Sequence, residues 1–271
     1  MSEIVSGTND LVEVADHLTR NLNPQRKNGL GKGQEVHLDP YLRCSTSNTL
    51  PDWRPAFGQD GAAQGHLLNQ KASQGDIFLF FGWFRQIEWD DRLGQKRWRF
   101  KPKAPDLHVI FGWLQIGQIL PIGPAPVHDK IPDWLKDHPH IQDAHRFLKH
   151  NTIYVASRLL RIGGKRLGLA GGGTFDSFTQ PLRLTHPDAR KHTDWQLPHW
   201  FLQKTETGKP TLTYHQRDWR WSEIGKDPSR VRLQTVARGQ EFVLGINKDN
   251  QTDANNWLKE LFATQKIQTQ K

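Results

Sequence analysis

Two apolar runs stand out from an otherwise polar chain. Residues 76–84 (DIFLFFGWF) and 108–120 (HVIFGWLQIGQIL) have the length and the aromatic or β-branched content of buried strands. Each carries a Phe-Gly-Trp unit, Phe81-Gly82-Trp83 in the first and Phe111-Gly112-Trp113 in the second, and each leads to a polar residue, Arg85 or Gln115, that a buried strand does not need. This pattern predicts a pair of strands that form a binding floor. Turn chemistry around residues 91–94, flanked by alternating residues such as Trp98 and Phe100, predicts an antiparallel excursion between them.

Elsewhere the periodicity is helical or broken. Residues 9–20 predict a short helix capped by Asn9 or Asp10, with Leu11, Val14, Ala15 and Leu18 on one face; residues 1–35 as a whole read as a peripheral helix and loop. Residues 62–70 make two helical turns that would bring Gln64, Asn69 and Gln70 together at the end. Residues 132–141 predict a short helical turn, 151–160 a strand, and the glycine-rich stretch 162–173 a loop. Short strands and turns follow in PLRLTHP, QLPHWF, TLTYH and VRLQTVARGQEFVLGI. A last amphipathic helix, 254–263, aligns Trp257, Leu258, Leu261 and Phe262. No composition shift marks a boundary, so the expected fold is a single β-rich α+β domain over residues 1–271.

Charge narrows the partners. The 271 residues carry a formal net charge of +9, which favours a polyanion, because Lys and Arg release its counterions. Only one cysteine is present, so an internal disulfide framework and a cysteine-based zinc module are excluded. No apolar stretch approaches the roughly 20 residues that span a bilayer, and a secretory leader pattern is missing. The expectation is a soluble, cytoplasmic protein with no membrane partner.

Five groups of residues carry candidate chemistry. Gln64, His66, Asn69 and Gln70 offer donors and acceptors that suit the edges of a base, beside the plain alternative of exposed amides on a capped helix. Trp83, Phe84, Trp113 and Phe81, with Arg85 and Gln115, could stack a base, although alternation alone sends half of such rings into a core. His37 with Asp39, and His138, His140 and His145, have spacings that a metal or a polar pocket could use; a metal site is not expected, His138 and His140 being the candidates for one and His37 and Asp39 fitting a polar pocket better. Residues 163–173 supply glycines without a phosphate-loop ending or a dinucleotide spacing, so no cofactor is named. Arg238, Gln240 and Glu241 at a strand start form either an ion pair or a ligand clamp. No serine elbow or cysteine nucleophile is visible.

These motifs together resemble the third nucleotide modification associated domain family, whose members are connected with DNA base hypermodification. The similar stretches are VHLDPYL, WRPAFGQDGAAQGHLLNQ, GDIFLFFGWFR, HVIFGWLQIG, DHPH, NTIYVAS, LRLT, LPHWF, LTYH and ARGQEFVL, in one order from about His37 to Phe262. The family's leading segment, of the kind S-R-K-G-F-D-S, has no counterpart near Met1. If its Arg, Lys and Asp contact phosphate or do chemistry, this chain would bind without turnover. A Gly-Asp before an aromatic strand is also similar to the pseudo-barrels of the PUA and EVE kind, which bind RNA or modified bases.

The resemblance implies a protein that handles a base or nucleotide in a DNA-modification or phage-related system, with DNA, nucleotides or other modification-system proteins as partners. Gln64, Asn69, Gln70, Trp83, Arg85, His108, Trp113, Gln115, Arg238 and Gln240 would line the pocket. Glu241, His66 or His37 would act as acid or base in a transferase-like enzyme. A non-catalytic reader gripping an extruded base and a protein-interaction module are the alternatives.

Overall fold

The structure, a computed structural model, describes residues 18, 39–42, 52–94, 97–123, 131–147, 150–202, 211–225, 227–235, 241–242 and 249–263, with Leu93, Glu241 and Phe242 described in backbone only. All of the expected helix over 9–20 except Leu18 therefore lies outside the described residues, as do His37, Arg238 and Gln240. The two apolar runs form β2 (Ile77–Arg85) and β5 (Asp106–Pro121), paired antiparallel with a register shift at Phe80/Phe81. Around them lie β1 (Ala56–Gln59), β6 (Thr152–Ala156) and β13 (Glu241–Phe242) in the order β1-β6-β5-β2-β13. β9 (Gly172–Thr174) adds to β5, giving a six-stranded antiparallel sheet curled into a half-barrel. This is a β-rich α+β fold.

The period of two along β2 explains its double burial. Phe78 and Phe80 face a cluster with Phe57, Tyr154 and Leu67, whereas Leu79 and Phe81 face a larger cluster with Trp195, Phe201 and Trp257. Helix α1 (Gly61–Asn69) packs Leu67 against the first cluster. The second is roofed by the sheet of β10 (Asp194–Pro198), β12 (Arg230–Gln234) and β11 (Trp221–Glu223), and by α3 (Gln251–Phe262), which buries Ala254, Trp257, Leu261 and Phe262. The excursion after β2 is a hairpin, β3 (Ile87–Asp90) with β4 (Arg97–Phe100), as alternation predicts.

The glycine-rich stretch differs from expectation. It holds a hairpin, β7 (Arg161–Ile162) with β8 (Lys165–Arg166), as well as β9. The reason is steric: a Cβ on Gly173 would lie 3.1 Å from the Trp113 ring, so the strand docks on β5 by backbone and carries no side-chain pattern to read. Of the short strands and turns expected late in the chain, TLTYH is a turn.

Candidate functional site: a phenylalanine-walled pocket with an Asp-His pair

Strand β1 and the short helix α2 (Pro139–Gln142) frame a pocket of about 580 Å³. Its apolar walls are Phe57, Phe80, Phe81, Phe111 and Phe147, and its polar groups include Asp39, Gln59, Asp60 and His140. Asp39 is held against β1 because Tyr41 makes two backbone hydrogen bonds with Ala56, and the Gly58 N–H donates to Asp39 Oδ1 at 3.0 Å. His140 is placed by the DHPH turn: Pro139 opens α2, and His138 caps it by accepting from the His140 N–H through Nδ1 at 3.2 Å.

The imidazole of His140 is fixed on both nitrogens. Nδ1 lies 2.6 Å from Oδ1 of the fully buried Asn151, and Nε2 lies 3.3 Å from Oδ2 of Asp39. Asn151 donates its amide hydrogens to the carbonyls of His140 (2.8 Å) and Gly123 (3.3 Å), so its oxygen is the acceptor and His140 Nδ1 carries a proton. Nε2 is then the nitrogen that faces the carboxylate. The ring stacks on Phe147 at 3.9 Å and lies over Gly58, where a Cβ would come within 2.3 Å of it. Only glycine at 58 lets the imidazole lie this close to β1.

The residues expected to line one pocket are distributed over the molecule. Gln64 is buried and accepts from the Tyr154 hydroxyl at 3.0 Å, while Asn69 and Gln70 are exposed, so the three do not converge at the end of α1. His66 docks α1 onto the 211–215 turn, with Nε2 2.9 Å from Thr213 Oγ1 and its ring stacked on Tyr214. Trp113 is core: its indole donates to the Ala170 carbonyl and packs on Phe175 and Phe262. Trp83 is 60% exposed and stacks on His192 at 4.5 Å. Arg85 sits 3.9 Å from Asp106 and over the Phe100 ring. His108 is buried, accepting from Trp195 Nε1 through Nδ1. Glu241 is in register with Phe80, a wall of the pocket.

Gln70 and Gln115 do share a larger cleft, of about 960 Å³, with Arg161 and Asn255. The Gln115 side chain is spent on structure there. It donates to the carbonyls of Gly75 and Arg161 and accepts from the Arg161 N–H and the Ser157 hydroxyl, tying β5 to two loops. The phenylalanine pocket instead combines planar apolar walls with a titratable pair.

Sequence reading singled out Asp39, His138 and His140 but did not bring Asp39 to His140, and it missed Asn151, Phe57 and Phe147. The signal was present in the VHLDP, DHPH and NTIYVAS stretches, which the fold brings together. Among the described residues no group of three or more His, Cys, Asp or Glu side chains could hold a metal ion, and no helix is long and apolar enough to cross a membrane.

No curated protein and no solved structure matches the chain. The family of nucleotide modification associated domain 3 matches residues 3–245 of the 271, from ahead of the described residues through β13. That span includes both walls of the pocket and the Asp39–His140 pair, and the chain belongs to the nucleotide modification associated domain 3 family.

Proposed function

We propose that the protein handles a nucleobase or nucleotide in a cytoplasmic DNA base modification system, as a transferase-like enzyme whose acid-base group is the His140–Asp39 pair. The carrying observation is the His140 ring, oriented from Nδ1 by a buried amide and facing a carboxylate from Nε2, in a pocket lined by five phenylalanines. Planar walls suit a base, which binds by stacking and by exclusion of water. A positioned imidazole suits proton transfer to or from a ring nitrogen or an exocyclic group. The backbone of Glu241 runs beside Phe80, so this carboxylate remains a second candidate for the same chemistry.

The test is nucleoside mass spectrometry of host and phage DNA, with the gene expressed among its native neighbours as wild type or as His140→Gln. A nucleoside present with the wild type and absent with the variant supports the reading. An identical nucleoside profile with and without the gene overturns it. A reader without catalysis is the second reading, favoured by Trp83, whose exposed indole offers a stacking surface. A reader leaves every nucleoside mass unchanged and loses affinity for modified DNA on Trp83→Ala.

A further inference from the structure

The two most exposed large apolar side chains among the described residues are Trp219, at 66%, and Trp83, at 60%. Both border the segment 188–194. His192 stacks face to face with Trp83, the planes 11° apart. Its chain neighbours Lys191 and Thr193, together with Arg190, line a cleft of about 510 Å³ that also contains Trp219, Arg220 and Arg232.

The charges in this cleft are not equivalent. Arg232 is forked onto Asp194, with Nε 2.6 Å from Oδ1, so its charge is spent within the fold. Arg190 and Lys191 form no ion pair among the described residues. Arg220 is anchored by a hydrogen bond from Nη1 to the Gln234 carbonyl at 2.9 Å and sits 4.7 Å from the Trp219 ring centroid, so it steadies the indole and remains cationic. One exposed tryptophan is ordinary surface. Two of them bordering one segment, beside a cleft in which Arg190, Lys191, Arg220 and Arg232 outnumber Asp188 and Asp194, offer stacking faces with positive charge at hand.

We infer that this cleft binds a single-stranded polynucleotide, with phosphates at Arg190, Lys191 and Arg220 and unstacked bases on Trp219 and, along the same segment, Trp83. A duplex offers these indoles no free base face, whereas a single strand does. The site goes beyond the His140 reading and stands without it, because none of its residues lines the phenylalanine pocket; it shares Trp83 with the reader and adds the cleft at Trp219.

The experiment is fluorescence anisotropy of a labelled oligothymidylate titrated with the protein over a range of salt concentrations. Three phosphate contacts at about −0.7 each give a log–log salt slope near −2. Trp219→Ala weakens binding roughly fivefold to a hundredfold, the worth of one stacked base. Replacing Arg190 and Lys191 together by Ala makes the slope shallower by about 1.4. Binding is read without turnover, so its outcome is separate from the nucleoside masses that test the His140 pocket. Salt-independent binding, or equal affinity of Trp219→Ala with an unchanged melting curve, overturns the inference. Tighter binding of poly-glutamate than of the oligonucleotide also overturns it and marks an acidic protein as the partner.

Discussion

Nε2 of His140 lies 3.3 Å from Oδ2 of Asp39, a contact between two segments that both rest on Gly58 of β1. Gly58 makes it possible, since it donates its N–H to Asp39 and leaves room for the imidazole above its Cα. Gly58→Ala should therefore displace His140 and cost about 1–3 kcal/mol, the usual range for overpacking. In the double variant with His140→Ala the clash is gone, and the added cost of Gly58→Ala should fall to a few tenths of a kcal/mol. Urea unfolding of the four proteins measures the coupling.

A second prediction separates structural amides from exposed ones. Gln115→Leu removes four hydrogen bonds and leaves the carbonyls of Gly75 and Arg161 without their donor. Each such group costs about 1–3 kcal/mol when it stays buried, so a total loss near 3 kcal/mol is expected after partial rewetting. Gln70→Ala, at an exposed helix end, should stay within about 0.5 kcal/mol. The midpoints of denaturant unfolding distinguish the two.

How much was legible in the chain follows from how local each signal is. β2, β5 and the Trp257–Leu261–Phe262 stripe were legible because apolar side chains repeat with the period of the element. β9 was not, because its residues bring backbone alone to Trp113. The two Phe-Gly-Trp units look equivalent in sequence, yet Trp113 is covered by Phe175 and Phe262 whereas Trp83, near the end of β2, is left exposed. The Asp39–His140 pair was half legible: both residues stood out in short motifs, but their meeting depends on Tyr41 docking on Ala56 and on Asn151 holding α2. No local periodicity encodes such a contact.

Stability should also depend on pH through His215. Burial, with a smaller contribution from the Arg220 charge, lowers its pKa to about 4 from an ordinary 6.5. Above 6.5 neither the folded nor the unfolded chain protonates it, and it adds no slope. Between 6.5 and 4 the unfolded chain takes up a proton that the folded chain refuses, so stability falls as pH falls. Below about 4 both states are protonated and the effect levels off. The loss should approach about 2 kcal/mol by pH 5. His215→Leu should remove this difference between pH 7 and pH 5 in urea titrations, whatever it does to stability at pH 7; an unchanged difference would mean that the imidazole is hydrated in the fold.

The two tryptophans of the repeated unit give the last contrast. Trp113 is 6% exposed, its indole N–H is spent on the Ala170 carbonyl, and its ring fills the space between Phe175 and Phe262. Trp113→Ala should cost about 3–5 kcal/mol, the range for emptying an aromatic site in a core that cannot collapse around it. Trp83 touches the fold mainly through the face it shares with His192, and Trp83→Ala should cost less than about 1 kcal/mol. Binding inverts the order. Trp83→Ala, still folded, should lose affinity for a single strand because a stacking face is gone, whereas Trp113→Ala should affect binding only in proportion to the fraction unfolded. Thermal melts and anisotropy on the same two proteins check both halves, and equal stability losses would mean that Trp83 packs inward in solution.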